Sequence, residues 1–225
     1  MLRAALPLRC LLCGAPGSGG RDLCPGCARD LTLNRPACSR CALPLAVAAP
    51  LCAACLKAPP PFAAAWAPFR YGHPLDLLEA RFKFRADLAA GRALSSLQIE
   101  RVRADAPVLP DAIVPIPLHH ARLRSRGYNQ AVELARPLAR ALGIPLRHDL
   151  LLRARATDAQ SALDAKARRR NVRGAFALTD GVTLPAHVAL FDDVMTTGAT
   201  LREAALTLRR AGVARVDAWV LARAP

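Results

Sequence analysis

The chain has 225 residues, 53% hydrophobic and 4% aromatic, and a formal net charge of +15. That length allows one full domain plus a small one, and the apolar share excludes a chain disordered throughout. No apolar run reaches the roughly 18 residues that spanning a bilayer requires, so no membrane insertion is expected.

In chain order, the opening MLRAALPLRCLLCG is a poor signal peptide, because Pro7 and Arg9 break its apolar centre. Leu12, not a small residue, precedes Cys13, which argues against a lipoprotein signal; a cytoplasmic location is expected. Cysteines then fall at 10 and 13, 24 and 27, 38 and 41, 52 and 55, four Cys-x-x-Cys pairs repeating every 14 residues. Such a pair wraps a tight knuckle around one metal, and two knuckles complete a tetrahedral S₄ site. Cys10, Cys13, Cys24, Cys27, Cys38, Cys41, Cys52 and Cys55 therefore predict two structural Zn²⁺ sites, with a disulfide framework or an iron–sulfur cluster as the alternatives. Pairing consecutive knuckles needs the shortest loops, and an interleaved arrangement is the other solution. Four sulfur ligands leave no open position for substrate, so the metal's role is to supply folding energy to a module too short for a large core.

Residues 59–66 read as a Pro- and Ala-rich linker, since Pro59, Pro60 and Pro61 exclude a helix. Beyond it, helical and strand patterns alternate. A single helix is expected over 74–97, a buried strand in DAIVPIP, and a helix over 128–142 with Ala131, Leu134, Ala135, Leu138 and Leu142 on one face. HVALFDD reads as a buried strand, ATLREAALTLRRAG as a helix closed by Gly212, and VARVDAWVLAR as a last strand. The alternation implies an α/β, doubly wound parallel sheet, whose ligands bind at the carboxyl ends of strands. The charge is local too: residues 122–173 carry 13 Lys/Arg against 4 acids, and residues 174–225 are neutral. That excess points to an anionic partner such as a phosphate, a pyrophosphate or nucleic acid.

VALFDDVMTTGATL (188–201) resembles the signature by which type I phosphoribosyltransferases bind 5-phosphoribosyl 1-diphosphate (PRPP). VPIPLHHARLRSRGYNQAVELA (114–135), LLRARATDAQSALDAKARRRNVRGAF (151–176) and FKF (82–84) extend the likeness to the ComF family, ComFC and its GntX-like relatives. The resemblance implies a double zinc ribbon over 1–58 and a type I phosphoribosyltransferase fold over 67–225. It implies that Asp192 and Asp193 engage the ribose diol, directly or through Mg²⁺, and that Met195, Thr196, Thr197, Gly198, Ala199 and Thr200 cradle the 5′-phosphate. Residues 116–120 (IPLHH), Pro117, Leu118 and His119 among them, would form the pyrophosphate loop, with Arg122, Arg126, Asn129 and Gln130 behind it. Arg153, Arg155, Thr157, Gln160, Arg168 and Asn171 would line a hood, and the catalytic set would be Asp192, Asp193, Arg126 and Arg168. Three roles fit these residues: an active transferase with an unidentified acceptor, a PRPP-binding regulator, or a component of DNA uptake that contacts single-stranded DNA or a competence-machinery protein.

Overall fold

The structure, a computed structural model, describes residues 7–155 and 170–225. Its elements are α1 (Pro25–Arg29), α2 (Ala53–Lys57), β1 (Ala65–Trp66), β2 (Phe69–Arg70), α3 (Leu75–Arg85), α4 (Leu88–Asp105) and β3 (Ala112–Pro115). Next come α5 (His120–Arg126), α6 (Gln130–Leu142), β4 (Leu151–Arg153), β5 (Phe176–Leu178), β6 (His187–Met195), α7 (Ala199–Arg210) and β7 (Arg215–Arg223).

The long apolar runs of β6 and β7 form the centre of a parallel sheet in the order β3, β6, β7, with β1 and β2 end to end along the far edge of β7. Strands that are apolar on both faces need cover on both, and the two-residue period sorts them. Ile113, Ala189, Phe191, Trp219 and Leu221 join a core with α3, α4 and α6. Val114, Val188, Leu190, Val216, Ala218 and Val220 join a second core with α7. A short antiparallel pair, β4 with β5, stands apart from the sheet.

The expected helix over 74–97 is two helices. Ala86 adopts a left-handed conformation (φ 51°), and Asp87 caps α4, its Oδ1 accepting from the N–H groups of Ala89 (3.0 Å) and Ala90 (3.2 Å). A side-chain cap of this kind satisfies backbone donors that a continuous helix would bond itself. The helix expected over 128–142 begins at Gln130, where Asn129 provides the cap.

The cysteine-rich segments pack on opposite sides of the sheet. Cys10, Leu23 and Leu31 enter the core shared with α3 and α4, and the Arg81 guanidinium donates to the Leu11 carbonyl (3.0 Å). Ala42 and Phe62 enter the other core, and Arg223 of β7 donates to the Cys41 carbonyl (3.1 Å). Among the described residues no helix is long and apolar enough to cross a membrane.

Candidate functional site

Strand β3 stops early. Its ladder with β6 ends where the Ile116 N–H donates to the Phe191 carbonyl (2.8 Å), and Pro117 has no N–H with which to continue it. The chain then leaves toward α6 on one face, whereas the chain leaving β6 enters α7 on the other. Adjacent parallel strands whose connections diverge open a crevice at their carboxyl ends. Here it is a cleft of about 360 Å³, lined from β6 by Asp192, Asp193 and Met195, from the adjoining turn by Thr196, Thr197 and Gly198, and from α7 by Ala199 and Thr200. Leu118, Arg122, Arg126, Asn129 and Gln130 line the β3 side, and Arg153 of β4 completes the lining.

The acidic pair differs between its two members. Asp193 is buried, and its Oδ2 lies 2.9 Å from the Lys83 ammonium, which also pairs with Oε2 of the fully buried Glu79 at 3.0 Å. Burial disfavours the charge on Lys83, but Asp193 and Glu79 outweigh it and hold the lysine protonated. Burial likewise lifts the Glu79 carboxyl to about 7 despite the Lys83 charge. Asp192 keeps some contact with the cleft and has no cation within ion-pair distance among the described residues. Desolvation on the cleft floor, reinforced by the negative charge of Asp193, raises its carboxyl to about 8. One carboxylate is thus neutralised by the protein, while the other gains by meeting a donor or a cation. Lys83 and Glu79 were not among the expected site residues. Their signal was the Glu-x-x-x-Lys spacing that runs into FKF, which sets the two side chains one helical turn apart.

Beyond the acids, β6 runs into a turn that favours glycine. Gly198 has φ +71°, and a Cβ there would meet the Met195 sulfur at 3.2 Å. The Thr197 Oγ1 accepts from the Ala199 N–H (3.4 Å) as the helix opens. A helix N-terminus presents unpaired N–H groups and favours anions. Across the cleft, Asn129 is occupied in holding the wall: its Nδ2 donates to the Ile116 carbonyl (3.0 Å), and its Oδ1 caps α6. Gln130 is buried, and its Oε1 has no hydrogen-bond partner among the described residues.

Other expected residues lie elsewhere. Pro117 and His119 belong to the β3–α5 connection without lining the cleft, and His119 instead caps α5 and stacks on His120. Arg155 donates to the carbonyls of Asn171 (3.0 Å) and Arg173 (2.7 Å), fastening two chain segments together. Thr157, Gln160 and Arg168 lie outside the described residues.

The cysteines gather in consecutive pairs, Cys10, Cys13, Cys24 and Cys27 in one group, and Cys38, Cys41, Cys52 and Cys55 in the other. Within each, all four sulfurs lie within 4.8 Å of one another. The Cys13–Cys24 and Cys41–Cys52 sulfurs are 3.6 and 3.7 Å apart. A tetrahedron with Zn–S bonds of about 2.3 Å has edges of about 3.8 Å, so both groups fit one Zn²⁺ each. The Cys27 and Cys52 N–H groups donate to the sulfurs of Cys24 and Cys38 (3.4 and 3.3 Å), a contact that favours thiolates. All eight cysteines are free of disulfides.

Comparison with known proteins agrees with this division. Residues 1–56 match the double zinc ribbon domain. The chain is 44% identical to competence protein F of Haemophilus influenzae over 161 residues, covering 68% of this chain and 70% of that protein. It is 36% identical to the DNA utilization protein YhgH of Escherichia coli K12 over 226 residues, covering 97% and 98%. Among solved structures, adenine phosphoribosyltransferase from Leishmania tarentolae is 17% identical with a TM-score of 0.37, covering 64% of this chain and 74% of that one. That likeness is too weak to say anything of activity.

Proposed function

Because this chain belongs to the ComF family of competence proteins, as a homologue of ComFC and YhgH, we propose that it binds PRPP in the β3/β6 cleft as a phosphoribosyltransferase and serves DNA uptake. One observation carries this reading. Two carboxylates, a helix-opening turn and the guanidinium groups of Arg122, Arg126 and Arg153, drawn from four separate elements, line a single cleft. PRPP has the matching order of groups, a phosphate at one end, a pyrophosphate at the other and a neutral diol between. The turn from Thr196 to Thr200 would take the phosphate, Asp192 would accept hydrogen bonds from the diol, and the arginines would face the pyrophosphate. Mg²⁺ bound with the pyrophosphate would screen its charge, and Asp192 is the carboxylate suited to hold it, since Asp193 is already paired with Lys83.

In the transferase reading the C1′–O bond breaks with its electron pair going to the departing pyrophosphate. Arginines stabilise the charge that develops there, and a nitrogen nucleophile donates its lone pair to C1′ and afterwards loses a proton. A type I phosphoribosyltransferase fold for the α/β domain is part of the same proposal. The role in DNA uptake is supported by the names of the relatives, and the basic segment 122–173 would suit single-stranded DNA or an acidic partner of the uptake machinery.

Calorimetric titration of PRPP with Mg²⁺ tests the site. Asp192→Asn with Asp193→Asn is expected to weaken binding about tenfold or more, as befits loss of charged hydrogen bonds. Unchanged affinity would remove the assignment. Pyrophosphate release from PRPP across a panel of nitrogenous acceptors separates an enzyme from a binding protein.

A further inference from the structure

Of the ten aromatic residues in the chain, one stands in water. Phe84 is 77% exposed, and the next most exposed, Tyr71, is 37%. Three consecutive residues of α3 diverge because each helical step turns about 100°. Phe82 points into the core, fully buried and packed on the Tyr128 ring with centroids 5.3 Å apart. Lys83 reaches Asp193, and Phe84 comes out on the cleft wall beside both acids. The Arg126 guanidinium faces its ring, 5.9 Å from the centroid, and lines the same cleft. A single exposed phenylalanine on an open surface needs no explanation. One placed inside a charged cleft, with a planar cation already covering one face, offers its other face to a flat ring.

We propose that Phe84, backed on one face by Arg126, forms a stacking platform for one planar heteroaromatic ring, the nucleobase of a mononucleotide or the free base that becomes one. The inference rests on the cleft's binding a phosphoribosyl ligand, and it supplies the acceptor class that the acids and the turn leave open. A ring held here lies against the cleft that contains Asp192, so ring, sugar and phosphate can occupy it as one molecule. Single-strand binders stack successive bases on several aromatics. Phe84 has no second exposed aromatic beside it in the cleft among the described residues, which favours one ring over a strand.

Nucleoside 5′-monophosphates and ribose 5-phosphate, which share sugar and phosphate and differ only in the ring, test this on the zinc-loaded full chain. The wild type is expected to bind at least one monophosphate about five- to a hundredfold more tightly than ribose 5-phosphate, the span of one base–aromatic stack. Phe84→Ala should abolish that preference and Phe84→Trp should retain it, with quenching of the new indole's fluorescence on binding. Equal affinity of the wild type for all these ligands, or a preference that survives Phe84→Ala, overturns the proposal. So does a Phe84 dependence seen with oligothymidylate but not with any monophosphate. A wild type that binds ribose 5-phosphate without ring preference defeats this inference alone, whereas one that binds neither ribose 5-phosphate nor PRPP defeats the PRPP reading beneath it.

Discussion

Asp192 is the residue on which a pH measurement turns. An unfolded aspartate titrates near 4, and burial with the Asp193 charge lifts this one to about 8. The folded chain therefore holds a proton that the unfolded chain has lost. Its favourable contribution to stability is present below about pH 4, falls as pH rises, and levels off above about pH 8. A diol or a divalent cation prefers the ionised carboxylate, so binding must expel that proton. PRPP affinity is accordingly expected to rise between about pH 6 and 8, by up to about tenfold per unit, and to flatten above. Asp192→Asn should remove that component. The ligand's own phosphates titrate identically against both proteins, so the difference between their calorimetric profiles isolates Asp192; parallel profiles would contradict the assignment. The Asp-Asp-x-x-Thr-Thr-Gly order was legible without coordinates because its members are neighbours in the chain. That Asp193 is spent on Lys83 was not, because a lysine 110 positions earlier reaches it only after α3 packs on the sheet.

Among elements, the joint between α3 and α4 shows where periodicity stops being informative. Residues 74–97 carry a helical pattern throughout, and no glycine or proline marks the break at Ala86 and Asp87. The joint lets α4 fold back across α3, and Gly91 of α4 then meets the ring of Phe82. An added Cβ would sit 2.7 and 2.9 Å from two ring carbons of a side chain that is fully buried. Alanine is the better helix former by about 1 kcal/mol, but overpacking a close contact costs about 1–3 kcal/mol. Gly91→Ala is therefore expected to lower the urea midpoint despite its favourable propensity, and a raised midpoint would show that the Phe82 ring can yield. Sequence patterning identified α3 and the first half of α4 as helix but not the stretch of α4 that continues to Asp105; the turn between them is settled by packing, because Phe82 and Gly91 become neighbours only when the two helices meet.

Over the whole molecule, the cysteine modules are continuous with the sheet's two cores. Cys10, Leu23 and Leu31 share one with α3 and α4, and Ala42 shares the other with α7. Arg21 adds an ion pair to Glu100 (2.7 Å), and Arg223 binds the carbonyls of both Cys41 (3.1 Å) and Met195 (3.2 Å), the latter at the cleft. Zinc removal by a strong chelator is thus expected to destabilise the α/β part together with the ribbons, shifting one cooperative melting transition downward. Appearance of an unchanged high-temperature transition after chelation would show that the two parts fold independently. By itself the sequence determined the number of sulfur ligands, the α/β class, the parallel sheet and the acid-turn block, because each depends on spacing along a few residues or on a short apolar period. Tertiary structure decided which knuckles share a metal, the partnership of Lys83 with Asp193, and the exposure of Phe84 within the cleft. Those depend on which face of the sheet each crossover takes, and that is determined by burying both faces at once.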